Sequence, residues 1–297
     1  MSIRSAVVTG ATGFVGRHLV KHLLDEGWRV QAIVRPTSNC SHLTHLGENF
    51  SLCTHNGSID ALIEQFQTIR PSIVFHLASL FLSEHQPKDV EPLIQSNLLF
   101  GTQLVEAMTQ AGVTSLVNTG TAWQHYEGCD YSPVNLYAAT KQAFEGLLQY
   151  YIEARGLRVI TLKLHDTYGP NDPRPKLINL LRQVAADRDA VFMSPGEQLI
   201  DLVHVDDVVA AFQQAADRLT AGHIADHECY AVSSGHPISL RSLVGEVEKI
   251  LGRSLPIVWG GRPYREREVM VPWSGPLLPT WRPRTDLASE LMRLFGE

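Results

Sequence analysis

An α/β fold, with a doubly wound parallel sheet and a smaller C-terminal α/β lobe, is the architecture this sequence predicts, and three observations carry it. Short, almost continuously apolar runs alternate with helical patterns over the first 165 residues. The first run ends in a glycine-rich turn that opens the first helical pattern. Beyond residue 165 the chain turns rich in proline, glycine and arginine, as long ordered loops do. Residues 1–165 are therefore expected to form the sheet domain. Residues 166–297 are expected to form mainly a covering lobe, with some segments returning to the first domain.

In chain order, the strand candidates are AVVTG (6–10), RVQAIV (29–34), FSLCT (50–54), SIVFHLA (72–78), TSLVNTG (114–120) and LRVITLKL (157–164). Apolar side chains at successive positions suit strands covered on both faces. Between them, FVGRHLVKHLLDEG and VEPLIQSNLLFGTQLVEAMTQAG space apolar residues three and four apart and finish at glycine, as helices do. HDTYGPNDPRP and GGRPYREREVMVPWSGPLLPTWRPR read as ordered loops or lids.

Composition narrows the function. With 44% hydrophobic and 19% charged residues, the sequence has no apolar run near the roughly 18 residues that a membrane span needs, so no membrane partner is expected. The opening MSIRSAVVTG passes straight into a strand pattern without a secretory apolar core, and a cytoplasmic protein is expected. A net charge of −6 without a basic stripe argues against nucleic acid. Cys40, Cys53, Cys129 and Cys229 are scattered and expected to be reduced thiols, and His42, His45 and His55 fall in loop and turn sequence, so no metal is expected.

The turn itself, VVTGATGFVG, sets Gly10, Gly13 and Gly16 in GxxGxxG spacing with Thr12, Phe14 and Val15 between them. Glycines there allow a tight turn and close approach of backbone to a pyrophosphate resting on the helix N-terminus, the Rossmann-type arrangement for a dinucleotide. After the second strand an NAD site would place an acid to bind the ribose hydroxyl. This chain offers IVRPTS: Arg35, with Thr37, Ser38 or Asn39 and with Arg17 nearby, suits a 2′-phosphate. The loop favours NADP(H) over NAD(H), the plainer alternative being that Arg35 is a solvated cation.

YAATK, residues 137–141, places Tyr137 and Lys141 on one helix face, where an ammonium favours the phenolate of a tyrosine that exchanges protons with a substrate oxygen. NTGTAW, just before it, ends a strand with Thr121. Glycine loop, hydroxyl at a later strand end, then YxxxK: this ordered set resembles the extended short-chain dehydrogenase/reductases, the NAD(P)-dependent epimerase/dehydratase family. HLAS (76–79), the stretch beginning at Asn97, YGPNDPR (168–174), IDLVHVDDVVAA (200–211) and WRPRTDL (281–287) are similar to that family's further landmarks.

The resemblance implies an enzyme with Thr121, Tyr137 and Lys141 as catalytic residues. It also implies cofactor contacts from Leu77, Ala78, Ser79, Asn97, Thr119 and Leu164, a nucleotide-sugar substrate, and a homodimer paired through helices near 90–111 and 137–155. The family's dehydratases carry an Asp-Glu pair after the hydroxyl residue, and its fucose-synthase type carries a cysteine two residues on. Ala122 and Trp123 stand there instead. That leaves ketone reduction, or 4-epimerisation with retained cofactor.

VNTGTAWQHYEGCDYSPVNLYAATKQAFE is most similar to the CDP-abequose and CDP-paratose synthase group. NADPH-dependent reduction of a nucleotide-linked 4-keto-6-deoxyhexose is implied, with Tyr137 protonating the oxygen that hydride transfer leaves charged. Leu80, Trp123, His125, Asp166, Asn171, Arg262 and Arg265 are expected to meet the substrate, with Tyr126 and Arg267 as further candidates. Lys163, His165, Asp166 and Ile200 depart from the family's usual residues. The alternatives are a 4-epimerase that retains NAD and a non-catalytic NADP-binding sensor or scaffold.

Overall fold

The computed structural model describes residues 4–187, 189–224 and 226–296. Its elements run β1 (Ser5–Thr9), α1 (Phe14–Asp25), β2 (Arg29–Val34), β3 (Phe50–Thr54), α2 (Ile59–Ile69), β4 (Ile73–His76), α3 (Val90–Ile94), a π-helical turn (Gln95–Leu99), α4 (Phe100–Gln110), β5 (Ser115–Thr121), α5 (Leu136–Arg155) and β6 (Arg158–Leu164). Then follow β7 (Asp166–Tyr168), α6 (Leu177–Asp187), β8 (Val191–Met193), β9 (Leu199–Ile200), β10 (Leu202–His204), α7 (Val205–Thr220), β11 (His227–Val232), β12 (Ile238–Ser239), α8 (Leu240–Leu251), β13 (Ile257–Trp259) and α9 (Leu287–Phe295).

Seven parallel strands form one sheet in the order β11-β6-β5-β4-β1-β2-β3. Alternate side chains of each strand feed two cores. One face packs α1 and α7 around Leu19, Trp28, Phe75 and Phe212, and the other packs α2, α4 and α5 around Phe66, Leu104, Met108 and Phe144. The aromatic rings of Trp28, Phe75 and Phe212 form a chain with centroids 6.3 and 6.4 Å apart. A third core, built from α6, α8 and α9 around Leu181, Leu243 and Leu291, lies in the C-terminal part.

Two segments beyond residue 165 join the first cores: α7 packs on α1, and β11 pairs with β6. The IDLVHVDDVVAA and WRPRTDL stretches meet at Asp207, whose carboxylate accepts from the backbone N–H groups of Arg284 (2.8 Å) and Thr285 (3.1 Å). Trp281 Nε1 donates to the Asp207 carbonyl at 3.1 Å, fixing the last loop to α7.

The observed strands differ from the sequence expectation at their ends. β4 stops at His76, because Leu77 and Ala78 turn to donate to the carbonyl and hydroxyl of Thr9. The helix α2 is absent from the sequence reading, although Ser58 caps it by accepting from Ala61 N and Leu62 and Phe66 form its buried face. Within the long helix expected from residue 90, the ladder widens to a π turn at Gln95–Leu99. Among the described residues no helix is long and apolar enough to cross a membrane, and no group of three or more His, Cys, Asp or Glu could hold a metal ion.

Candidate active site

A cleft of about 610 Å³ opens beyond the C-terminal ends of β1, β4, β5 and β6 and runs from the glycine turn, past Tyr137 and Lys141, to Arg262, Arg265 and Arg267 of the last third of the chain. At its floor the backbone approaches itself closely. Gly10 has φ +72°, and a Cβ there would lie 2.6 Å from Ala78 N; a Cβ on Gly16 would overlap the Gly10 carbonyl. Gly13 stands at the N-cap of α1 without a side-chain cap, and no acidic residue occupies the first turn. The N-terminal N–H groups of α1 are therefore left for an anion. The buried Thr119 hydroxyl, on the same cleft, has no hydrogen-bond partner among the described residues. These features fit a dinucleotide, with Gly10, Gly13, Phe14, Val15, Gly16, Leu77, Ser79, Thr119 and Leu164 all on the cleft wall.

The turn after β7 closes over this end. Arg174 holds Asp172 at 2.7 Å and lies 4.3 Å above the Phe14 ring, while Arg17 donates to the Asn171 carbonyl. Asn171, expected on the substrate, is thus bound to α1 through its backbone and lies off the cleft wall. Arg35 is exposed just past β2, whose Ile33 pairs with Thr9, and Ser38 Oγ accepts from its N–H at 3.1 Å. Both lie beyond the cleft wall, at the same end of the sheet as the glycine turn.

Tyr137 enters the cleft because Asn135 starts α5 there: its Oδ1 accepts from Ala138 N at 2.9 Å, and its Nδ2 donates to the Leu82 and Ser83 carbonyls. The buried Asn97, aimed by the π turn, binds both the N–H and the carbonyl of Leu80 and donates to Thr140 Oγ1 at 2.9 Å. Asn97 is buried, and Leu80, Ala78 and Thr12 are half-buried; none of the four lines the cleft. Thr121, at the end of β5, faces the cleft and is 8% exposed.

Electrostatics here departs from the sequence expectation. The Tyr137 phenol reaches the cleft, yet burial pushes it up to about 12, opposed only by the Ser79 hydroxyl beside it. Lys141 is 3% exposed, and burial pushes it down to about 8, opposed by the Glu145 carboxylate. The expected lowering of the tyrosine by a neighbouring ammonium is corrected: a water-poor wall works against both charged forms. His76, buried beside Lys141 with Nδ1 2.8 Å from Thr9 Oγ1, is pushed down to about 3 and is a neutral ring.

Trp123, Asp166, Arg262 and Arg265 line the cleft, with Arg267, which donates to Ser132 Oγ at 2.6 Å and lies 4.2 Å over the Tyr126 ring. His125 is corrected to a place behind the wall, because its ring stacks on Trp273 at 4.0 Å and its Nε2 meets Lys163 Nζ at 2.7 Å. The sequence reading missed Phe81, Lys176 and Trp273, all on the cleft. Phe81 meets Tyr137 edge-on at 5.0 Å, and Lys176 Nζ sits 4.0 Å above Phe81 and 3.7 Å from Asp166. No local spacing announces them, since each comes from a different loop.

The parallel sheet, the glycine cradle and the Thr121, Tyr137 and Lys141 wall describe a nucleotide-binding oxidoreductase. Residues 6–227 match the model of the NAD dependent epimerase/dehydratase family, and the chain belongs to that family. It is 26% identical over 267 residues to the CDP-abequose synthase of Yersinia pseudotuberculosis, with 90% of each chain covered. It is also 26% identical over 311 residues to the UDP-glucose 4-epimerase of Streptomyces lividans, covering 95% of this chain and 92% of that one. Among solved structures, a UDP-glucose-4-epimerase from Stenotrophomonas maltophila with bound NAD and formylated UDP-arabinopyranose superposes with a TM-score of 0.86 at 21% identity, covering 98% and 97%.

Burial of Lys141 has a measurable cost. With its folded value near 8 and a free-lysine value of 10.5, the charged side chain opposes folding fully below pH 8, and the opposition fades between 8 and 10.5, where folding releases the proton that the unfolded chain still holds. Lys141→Met is expected to unfold at higher denaturant concentration than the parent at pH 7, by at most about 3 kcal/mol. The advantage should shrink steadily up to pH 10.5 in chemical denaturation series.

Proposed function

We propose that the protein reduces the 4-keto group of a nucleotide-linked 4-keto-6-deoxyhexose. The observation that carries this reading is the composition of the wall at Tyr137: Thr121 and Lys141 share the cleft with it, while Ala122 and Trp123 follow Thr121 and supply neither an acid-base pair nor a thiol. Water elimination and carbon-acid epimerisation both need such a group there. The likeness to CDP-abequose synthases over nine-tenths of the chain supports the same class of substrate.

When bound, the reduced nicotinamide supplies the hydride. Tyr137, whose phenol burial pushes up to about 12, gives its proton to the alkoxide oxygen as charge develops there. Thr121 Oγ1 holds that oxygen by hydrogen bonding. Lys141 orients the cofactor ribose and stabilises the phenolate left on Tyr137. Ser79, already beside the phenol, completes the oxygen's surroundings. Arg262 and Arg265, at the far end of the cleft, meet the diphosphate, and residues 166–297 form most of the substrate lobe.

The cofactor in this reading is NADP(H): Arg35 carries its guanidinium, exposed, past β2, on the side where the glycine turn would hold the pyrophosphate. The protein pairs as a homodimer through α3, the π turn, α4 and α5, where Val90, Ile94, Leu99, Leu147 and Tyr150 are apolar and exposed. A second reading, a 4-epimerase that retains NAD, draws on the similarity to UDP-glucose 4-epimerases.

Incubation with NADPH and a panel of CDP-, dTDP-, UDP- and GDP-linked 4-keto-6-deoxysugars is expected to oxidise the cofactor with at least one of them. Tyr137→Phe should lower that turnover at least about 100-fold while NADPH affinity stays within a fewfold. Inertness towards the whole panel, with nicotinamide absorbance retained through purification, would favour the epimerase. Arg35→Asp is expected to weaken NADPH binding at least about tenfold and leave NADH binding nearly unchanged in fluorescence titrations, as loss of one charge-assisted phosphate contact would. Sedimentation of the pure protein should give twice the 33.0 kDa chain mass, and a strictly monomeric species would exclude the pairing.

A further inference from the structure

The face of α5 that carries Tyr137 and Lys141 continues to Glu145, a further four residues on. Glu145 is turned into the protein, its side chain 9% exposed. One carboxylate oxygen lies 3.5 Å from Lys163 Nζ of β6, and the other accepts from Gln124 Nε2 at 2.8 Å. Gln124 is fully buried and hands the restraint on: its Oε1 accepts from Thr121 N at 2.9 Å, and its amide also donates to Gln142 at 2.7 Å. Lys163, 4% exposed, donates to His125 Nε2 at 2.7 Å, which leaves Nδ1–H of that ring to donate to the Cys129 carbonyl at 2.9 Å.

This buried layer therefore holds two lysines and one carboxylate. The other titratable groups around it are kept neutral by burial. His76 of β4 faces Lys141 and is pushed down to about 3, and Tyr137 of α5 is pushed up to about 12. His227 and Cys229 of β11 face Glu145 and Lys163; the ring is pushed down and the thiol up to about 11. His125 is pushed down, and Asp130 acts on it from an exposed loop. Among the described residues, Glu145 is the carboxylate that acts on both Lys141 and Lys163. An ammonium stripped of solvent and left without counter-charge sheds its proton. Two of them sharing one hydrophobic layer would shed one the sooner.

We propose that Glu145 is a positioning residue of this site, which keeps Lys141 an ammonium by shared counter-charge and, through Gln124, fixes the backbone of Thr121. The inference deepens the reading of Lys141 as a working cation and rests on it. Its charge arm does not require the sugar to be the one proposed above.

The test is a titration of lysine ε-carbons by NMR in the cofactor-free protein, with the Lys141 signal identified by its loss in Lys141→Arg. Glu145→Gln is compared with the parent, and Glu145→Gln/Lys163→Met, which leaves no unpaired ammonium at residue 163 should the single variant fail to fold, is compared with Lys163→Met. In each pair that folds, the member carrying Glu145→Gln should have the Lys141 midpoint lower by about one pH unit, and the alkaline limb of its NADPH affinity should move down with it. At pH 6, where Lys141 is charged in every form, affinity should stay within roughly threefold of the parent's. Equal Lys141 midpoints in Glu145→Gln/Lys163→Met and in Lys163→Met overturn the inference. A midpoint that moves in a protein inert to every 4-keto sugar upholds it while the reductase reading fails.

Discussion

The cleft exists because the strand order reverses between β1 and β4. The chain leaves β1 through α1 to one face and leaves β4 through α3 and α4 to the other, so no helix covers the strand ends at that point. Everything with chemical potential in this protein is arranged around the gap. The glycines at its floor are forced by distance: a side chain at position 10 would strike the backbone of Leu77 and Ala78, and one at position 16 would strike the turn itself. Backbone contact, in place of side-chain contact, brings the N-terminus of α1 to the gap with its N–H groups unspent.

What sits at the other wall is costly to keep. Tyr137, Lys141, Glu145, Lys163 and His76 lie in or behind a surface that excludes bulk water, and burial acts against the charged forms of Tyr137, Lys141 and His76. A sequence selected for stability alone would fill this layer with apolar side chains, as the neighbouring layer does with Phe144 and Leu148. The polar layer begins in the second half of β5 and β6, at Asn118 opposite Thr161 and Gly120 opposite Lys163. Gly120 itself is dictated by that layer, since a Cβ there would lie 2.9 Å from Gln124 Oε1 and 3.0 Å from the Lys163 stem.

Legibility in the sequence followed the range of the interactions. The glycine turn and the Tyr137–Lys141 pair are local patterns whose spacing states their geometry, and the six sheet strands before residue 165 declared themselves by apolar runs. Phe81, Lys176 and Trp273 converge from three separate segments, so nothing near any of them marks the cleft. His125 read as a pocket residue because it follows Thr121 closely; the stacking of Trp273, from the last loop of the chain, turned it inward. The π turn that aims Asn97 escapes notice because one widened turn barely alters helical periodicity. Burial was the quantity least visible from spacing, and it reversed the expected shift of the tyrosine.

A protonated phenol beside a desolvated ammonium at rest suits a wall that gives up a proton more than one that collects it. If Tyr137 served first as a base, its ground state would need the phenolate, and a water-poor setting without a full counter-charge makes that form expensive. As an acid, it begins in the form burial prefers and becomes anionic only when an alkoxide takes its proton. At that moment the ammonium of Lys141 gains a negative partner one helical turn away, and the interaction that burial penalised at rest becomes favourable in the transition state. The direction of proton flow in the proposed reduction thus follows from the desolvation of α5 itself, and the carboxylate of Glu145 determines how much of the required positive charge is present when the reaction begins.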